Sequence, residues 1–326
     1  MLSTTPLLTP SRISRDILDL VRSSVRVISI ALFTASLFAV DRLHPIEIAR
    51  FRSLTEGIVF DAEGYAYVSH GRVISRVSPN GAKRVWAETG APSGHKILAD
   101  GIHLVCDASQ HAVLRLDAQG KVLGPASSHC EGKPLREPND LTLDPKGGFY
   151  FTDSGGSREE LVGSIHFVDA RGETHTAATG LHYPNGIVLR PDGKTLLVAE
   201  SRRNRILSYE VLAPGRLGPM TVLATLPPKE RGQIDNRPDG MCLDRDGNLY
   251  IAHYGMKMIA VLSRKGRLIR QYPAGALTVS NVAFGGPKMD QLFITGGLGA
   301  EGASEGALFR LDVHMKGLPL LPRRTP

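Results

Sequence analysis

The stretch EGIVFDAEGYAYVSH, residues 56–70, joins an apolar run to a second alternating run through a polar turn at Gly64. Two such runs around a glycine-containing turn are typical of a β-hairpin. The same pattern recurs in NDLTLDPKGGFYFTDSG from residue 139, NGIVLRPDGKTLLVAES from residue 185 and DGMCLDRDGNLYIAHYG from residue 239. The chain is therefore built from a repeated hairpin unit.

Two weaker copies complete the series: GHKILADGIHLVCD with its turn at Gly101, and NVAFGGPKMDQLFITGG with its turn at Asp290. Each copy continues into a third strand-like stretch, such as residues 73–77 or 307–311, and a fourth such as the one near Arg84. Repeats of roughly 40 to 50 residues with four short strands per unit are typical of propeller blades. The sequence predicts an all-β fold, a six-bladed β-propeller with four-stranded antiparallel blades and a central metal channel.

The propeller is predicted to span residues 42–326, preceded by an N-terminal extension over residues 1–41. Residues 44–54 lie ahead of the first inner strand, and we expect them to supply the outer strand of the last blade. Such a strand would close the ring and remove a free sheet edge.

The net charge is +7, from 39 basic and 32 acidic residues. No run of lysine and arginine interleaved with aromatic residues accompanies this charge, so we expect no nucleic-acid partner. The three cysteines lack the CxxC spacing of a metal site, and they do not support a disulfide scaffold.

The N-terminal extension carries four arginines ahead of an apolar run over residues 27–40. That run is short for a membrane-spanning helix but suits the apolar core of a signal peptide. Apolar residues also recur at helical spacing between Ile13 and Val25, so an amphipathic surface helix is the alternative. We expect an exported, periplasmic or membrane-attached protein if residues 1–40 act as a signal, and a cytoplasmic one otherwise. Membrane contact is expected only through residues 13–40.

In four copies an oxygen-bearing side chain stands eight residues ahead of the turn glycine: Glu56, Asn139, Asn185 and Asp239. The first strand of every propeller blade lines the central channel, so these four side chains are predicted to converge there. Two carboxylates and two amides offer hard oxygen ligands, which favour Ca²⁺, with Zn²⁺, Mn²⁺ or Mg²⁺ as alternatives. The repeat therefore predicts a divalent metal site.

A metal ion with an open coordination position polarises a carbonyl group and activates water, which suits hydrolysis of a lactone or another ester. A general base is also needed. Asp239 and Asp140, the neighbour of Asn139, are the two predicted catalytic residues, and this pattern does not decide between them. Four further residues are predicted to contact a small-molecule substrate: Arg136, Glu137, His253 and Asn281.

The stretches EPNDLTLDPKGGFYFTDSG, YPNGIVLRPDGKTLLVAES and RPDGMCLDRDGNLYIAHYG resemble the SMP-30/gluconolactonase/luciferin-regenerating family, over about residues 50–313. GGFYFTDSGG and YIAHYG are most similar to its bacterial calcium-dependent lactonases. The resemblance implies a six-bladed propeller that hydrolyses lactones with a divalent metal, usually calcium. It places the metal ligands on Glu56, Asn139, Asn185 and Asp239, with Asp239 as the general base.

One position departs from the family pattern. Sugar lactonases of this family often carry an arginine two residues before the first ligand asparagine, whereas this chain has Glu137 there and Arg136 one residue earlier. The departure argues against specificity for aldonolactones. A phosphotriesterase with the same metal site is one alternative, and a non-catalytic binding propeller with a structural ion is another.

Overall fold

The structure is a computed structural model that describes residues 43–230, 234–300 and 304–319. Over these residues the chain forms six antiparallel blades and one two-stranded hairpin, and only the single turn Ser201–Arg203 is helical. The predicted all-β, six-bladed propeller is confirmed.

In each blade the first strand lines the channel and the last strand lies at the outside. Blade 1 contains β2 (Thr55–Phe60), β3 (Ala66–His70), β4 (Val73–Val77) and β5 (Lys83–Glu88). Blade 2 contains β6 (Pro92–Ile97), β7 (His103–Asp107), β8 (Ala112–Leu116) and β9 (Val122–Ser127). Blade 3 contains β12 (Pro138–Leu143), β13 (Phe149–Asp153), β14 (Gly163–Val168) and β15 (Thr174–Leu181). Between blades 2 and 3 lies the short hairpin of β10 (His129–Cys130) and β11 (Lys133–Pro134).

The remaining blades follow the same order. Blade 4 contains β16 (Pro184–Leu189), β17 (Thr195–Glu200), β18 (Arg205–Ala213) and β20 (Thr221–Thr225), with the short β19 (Arg216–Leu217) also paired to β18. Blade 5 contains β21 (Arg237–Leu243), β22 (Leu249–Tyr254), β23 (Met258–Leu262) and β24 (Leu268–Pro273). Blade 6 contains β25 (Thr278–Gly285), β26 (Gln291–Gly297), β27 (Gly306–Asp312) and β1 (Ile46–Phe51).

The ring closes within blade 6, because β1 pairs antiparallel with β27. The buried hydroxyl of Thr55, just after β1, lies 3.0 Å from the carbonyl oxygens of both Gly296 and Ala307. Residues from the two ends of the propeller therefore share one sheet. The prediction that residues 44–54 supply the outer strand of the last blade is confirmed.

The first strands of the six blades contact one another in sequence around the axis, and β25 contacts β2 to complete the circle. In every blade the pairing between first and second strand is interrupted near the start of the first strand, for example between Thr55 and Ile58 or between Pro138 and Leu141. A β-bulge of this kind bends a strand and re-aims its side chains. The bulges fall on the residues predicted to line the channel.

Four bulges have glycine as their second residue: Gly57, Gly94, Gly186 and Gly240. A Cβ atom on Gly186 would lie 2.3 Å from the carbonyl oxygen of Asp239 in the next blade. Glycine thus lets neighbouring first strands approach closely. The equivalent residue is Asp140 in blade 3 and Asn281 in blade 6.

The apolar core consists of six clusters, each lying between two neighbouring blades. Between blades 5 and 6, for example, Tyr250 packs with Val279 and Phe284. Because each sheet buries both faces against its neighbours, burial of apolar side chains stabilises the blades as a ring.

Five of the predicted hairpin turns have their glycine in the left-handed region, as at Gly64 with φ 84°. The prediction for the sixth turn was wrong by one residue. There Met289 has φ 54°, and its N–H donates to the carbonyl oxygen of Gly286. The reason is that β25 and β26 pair as far as Gly285 and Gln291, which leaves Asp290 after the turn, immediately before the return strand.

The N-terminal extension and its predicted signal or membrane-attaching segment lie outside the described residues. In the part of the chain that the structure describes, no helix has the length and apolar character needed to span a membrane.

The substitution Gly186→Ala tests the close approach of the first strands. The added methyl group would meet the backbone of Asp239, and overpacking of this kind costs about 1–3 kcal/mol of unfolding free energy. Denaturant titration measures the loss. Gly218→Ala is the matched control, because a Cβ atom there would have its nearest neighbour at 3.5 Å. Equal unfolding free energies for the two variants would contradict the packing described here.

Candidate metal centre

Carboxylates from three alternate blades interact at the channel. Burial raises the pKa of Glu56 in blade 1 to about 7, and the carboxylate of Asp140 in blade 3 adds to this rise. Burial also raises the pKa of Asp239 in blade 5 well above its ordinary value, and the carboxylate of Glu56 adds to it. These mutual effects decay with distance, so the three groups lie near one another.

Asp140 is held rigidly at its bulge. One carboxylate oxygen accepts the N–H of Leu141 at 2.9 Å, and the other accepts the N–H of Ile187, in blade 4, at 3.2 Å. Burial raises the pKa of Asp140, while the Lys96 ammonium and these two hydrogen bonds act in the opposite direction. Asp140 therefore links blade 3 to blade 4 and adds a third negative charge to the site.

Asn139 and Asn185 occupy the equivalent bulge positions of blades 3 and 4. The hydroxyl of Thr152 donates to the backbone carbonyl of Asn185 at 2.7 Å, which fixes that backbone relative to blade 3. Among the described residues, the side chains of Glu56, Asn139 and Asn185 form no hydrogen bond or ion pair. The side-chain oxygens of these three residues are therefore available as metal ligands. Together with the nearby carboxylates they form a set of oxygen ligands that suits a divalent cation.

Glu56, Asn139, Asn185 and Asp239 are each the first residue of their bulge, and the residues at this place in the other two blades are Ser93 and Ser280. We call these six the register positions. The hydroxyl of Ser280 donates to the backbone carbonyl of Thr55 and so helps to close the ring. Asn281 follows it and accepts the N–H of Val282 through Oδ1 at 2.8 Å, as Asp140 does from its own successor. The Asn281 amide packs against Gly240, the residue after Asp239.

The residues predicted to bind substrate occupy different surroundings. Glu137 is half-buried, and its Oε1 accepts the hydroxyl of Tyr183 at 3.0 Å. Arg136 is exposed, and its backbone N–H donates to Asp153 at 2.7 Å. His253 is fully buried, and burial lowers its pKa to about 4.

The imidazole of His253 is occupied by two amides of the protein. Its Nε2 lies 3.0 Å from Oδ1 of Asn204 and 3.2 Å from Nδ2 of Asn236. The substrate contacts of Arg136, Glu137, His253 and Asn281 stay predictions. Glu137 and Asn281 are half-buried, and each contacts a residue near a candidate ligand.

Three residues near the site were missed by the sequence analysis. Lys96, three residues after Ser93 on β6, lowers the pKa of Asp140. Arg237, two residues before Asp239, lowers the pKa of that carboxylate and lies with Cζ 4.5 Å from the ring centre of Tyr254. Tyr183 is the third. Arg237 and Tyr183 each stand two residues before a register position, as Glu137 does, and this shared spacing is the signal that would have identified them. Lys96 has no such signal in the sequence.

A second acidic cluster lies outside the channel, where Asp169, Glu173 and His175 bring three ligand-type atoms within 4.8 Å. It occupies the turn between β14 and β15 and the start of β15, at the opposite end of the blade from the bulge. The guanidinium of Arg171 donates to Asp169 at 3.1 Å and to Glu173 at 3.0 Å. This group is a solvated ion-pair cluster.

Two cavities open at the opposite ends of the first strands, beside the hairpin turns. One, of about 500 Å³, lies between blades 1 and 2 and is lined by Trp86 and Gly101. The other, of about 850 Å³, lies between blades 1 and 6 and is lined by Gly64 and Gly286. Neither is lined by a residue of the candidate metal centre.

The family model described as the SMP-30/gluconolactonase/LRE-like region matches residues 54–297. Lactonase drp35 of Staphylococcus saprophyticus is 30% identical over 242 residues, which cover 69% of this chain and 71% of that protein. These matches confirm the resemblance seen in the repeated motifs.

Two solved structures share the fold. Regucalcin from Agrobacterium tumefaciens, described as a calcium-binding protein, is 23% identical with a TM-score of 0.73. The match covers 87% of this chain and 98% of the regucalcin chain. A gluconolactonase from Xanthomonas campestris has a TM-score of 0.71 and 24% identity, with coverages of 86% and 92%.

The pKa of Glu56 predicts how the stability of the metal-free protein depends on pH. An unfolded glutamate titrates near 4.5, whereas folding raises the pKa of Glu56 to about 7. Between these values the folded state keeps a proton that the unfolded state releases, so stability falls as the pH rises through this window. A bound divalent cation favours the ionised carboxylates, so with the cation present stability rises with pH over the same window.

Thermal unfolding in chelator from pH 4.5 to 7.5 measures this dependence. We expect Glu56→Gln to flatten the slope and Glu160→Gln, which changes an exposed glutamate, to leave it as in the wild type. Equal slopes for Glu56→Gln and wild type would contradict the assignment.

Proposed function

Since the chain belongs to the SMP-30/gluconolactonase/LRE-like family, we propose that it is a Ca²⁺-dependent hydrolase of lactones. The observation that carries the proposal is the convergence of three carboxylates from separate blades, the half-buried Glu56 and Asp239 and the buried Asp140, on one end of the channel. Lys96 acts on Asp140 and Arg237 acts on Asp239, yet the pKa values of both carboxyl groups stay raised. Clustered negative charge that is not fully offset is costly to bury. A divalent cation at this place offsets that cost and supplies the chemistry.

Four residues would hold the ion: Glu56, Asn139, Asn185 and Asp239. Two carboxylates neutralise a dication, and the two neutral amides leave its attraction for a substrate oxygen intact. All four donors are oxygens, which favours calcium over metals that prefer nitrogen or sulfur. The description of the regucalcin neighbour as calcium-binding agrees with this choice. When bound, the ion polarises the lactone carbonyl and stabilises the negative charge that develops on its oxygen.

The hydrogen bonds distinguish the two candidate bases. Both carboxylate oxygens of Asp140 already accept backbone N–H groups, and such bonds make a carboxylate less basic. Asp239 accepts a backbone hydrogen bond from Gly240, which lowers its pKa, but burial and the carboxylate of Glu56 raise that pKa well above its ordinary value. We assign Asp239 as the group whose carboxylate oxygen takes a proton from water during attack on the carbonyl carbon. Asp140 positions blades 3 and 4 and contributes charge.

The substrate is proposed to enter at the end of the channel where the first strands begin. Glu137 lies two residues before Asn139 and Tyr183 two residues before Asn185, so both stand beside the ligands. Asn281 packs beside Asp239 across the neighbouring bulge. These side chains would orient a small lactone over the ligand oxygens.

Lactone hydrolysis is tested directly on the purified full-length protein. A panel of neutral lactones is followed with a pH indicator, before and after removal of metal by chelator and after return of Ca²⁺. We expect turnover that disappears with chelator and returns with Ca²⁺. Bound metal without turnover of any lactone would favour a binding propeller, and turnover of phosphotriesters alone would favour the alternative hydrolase.

The substitution Asp239→Asn tests the site within the chain. Loss of the base is expected to lower kcat/KM roughly 10²–10⁴-fold, and loss of one of two charged ligands is expected to weaken Ca²⁺ binding measured by calorimetry. Asp169→Asn is the matched control, because it removes the same charge from the surface cluster. Full activity in Asp239→Asn, or its loss in Asp169→Asn, would contradict the assignment.

A further inference from the structure

One residue of each blade stands two positions before its register position, just before or at the start of the first strand, and we call these six residues the rim. They are Leu54, Ala91, Glu137, Tyr183, Arg237 and Thr278. Its ionisable members come from blades 3, 4 and 5, and the other blades contribute small or apolar residues. Arg237 and Thr278 are buried, so a substrate that reaches the channel from this end meets the half-buried residues Leu54, Ala91, Glu137 and Tyr183.

Tyr183 and Glu137 form a hydrogen-bonded pair between adjacent blades, with the phenol hydroxyl donating to Oε1 at 3.0 Å. The carboxylate of Asp239 also acts on the Tyr183 hydroxyl and raises its pKa, after burial and Glu137. The pair therefore lies close to the proposed base. Among the described residues Glu137 makes no ion pair, so its negative charge is not cancelled by a cation in contact.

The protein holds both members of this pair in place. Tyr183 has φ 57°, a left-handed conformation that costs a bulky residue on the order of 1 kcal/mol. Its carbonyl accepts the N–H of Ser201 at 3.1 Å. The backbone N–H of Glu137 donates to Asp153 at 2.8 Å, and its carbonyl accepts the N–H of Ser154 at 2.9 Å. Strained backbone that is fixed on both sides is a feature of functional positions.

Arg237 is the rim cation, and it is already engaged. Its side chain is about one-tenth exposed, its Nε lies 3.9 Å from Asp235, and its guanidinium stacks on Tyr254. Arg158 is a second cation nearby, since it lowers the pKa of the Tyr183 hydroxyl, and Lys96 on β6 lowers the pKa of Asp140. Glu137 is the one carboxylate among the six rim residues, and its charge is not neutralised by an ion pair within the described residues.

We propose that the Glu137–Tyr183 pair is a charge filter, which makes the enzyme prefer neutral lactones over lactones that carry a carboxylate. The inference rests on the proposed function and names the substrate class of that same site. A carboxylate on the substrate would face Glu137 at short range in a partly buried rim, and like charges in such a place repel strongly. Tyr183 positions Glu137 and does not itself react.

The test compares kcat/KM for a neutral δ-lactone with kcat/KM for the same ring bearing a carboxylate, using the Ca²⁺-loaded full-length protein. In the wild type we expect the neutral substrate to be preferred by about 10-fold or more. Glu137→Gln should reduce this ratio about 10-fold, mainly through KM of the anionic substrate. Tyr183→Phe should reduce it less, and the two substitutions together should not be additive, because the residues are in contact.

The control is Glu160→Gln, which removes the same charge from the exposed loop after blade 3's second strand. Added salt should shrink the wild-type ratio and leave that of Glu137→Gln unchanged, since screening acts on charge. A ratio that is the same in wild type and Glu137→Gln overturns the filter while lactone hydrolysis stands. Hydrolysis of neither lactone by the wild type overturns the proposed function first, and the filter with it.

Discussion

Closure of the propeller through blade 6 is the constraint on which the other features depend. Strand β1 pairs with β27, and the hydroxyl of Thr55 contacts carbonyl groups of both β26 and β27. A propeller blade buries both faces only when it has a neighbour on each side, so an open array would expose apolar surface at its two ends. The closed circle also brings the start of every first strand to one end of the axis.

At the channel, the first strands pack closely and place three carboxylates near one another. Glycine at four bulges lets the first strands approach until a methyl group on Gly186 would meet the backbone of Asp239. The same approach gathers Glu56, Asp140 and Asp239. Burial raises the pKa of all three, and repulsion between carboxylates adds to the rise for Glu56 and Asp239. Structural packing alone would favour uncharged residues here. Three carboxylates placed together at the bulges of the first strands are the expected pattern of a functional site.

The hydrogen bonds give otherwise similar carboxylates different roles. Asp140 occupies a position that is glycine in four blades, and it uses both oxygens to hold its own strand and the next one. Asp239 is the first residue of its bulge, at the position proposed to supply a metal ligand. The cluster at Asp169 shows that proximity of acidic groups is not sufficient, because there a guanidinium satisfies the charge at the surface.

The sequence alone determined the hairpins, the number of blades, the closing strand and the four oxygen-bearing positions. These follow from alternation of apolar residues, turn chemistry and repeat length, which are local properties of the chain. Only the tertiary structure decided that Met289 forms the sixth turn, that His253 is buried between two amides, and that Tyr183 bonds Glu137 across 46 residues. It also decided that Lys96 lies near Asp140, from a different blade. Such contacts join side chains from separate repeats, and their distances are set by ring closure and strand bulges, which no single repeat encodes.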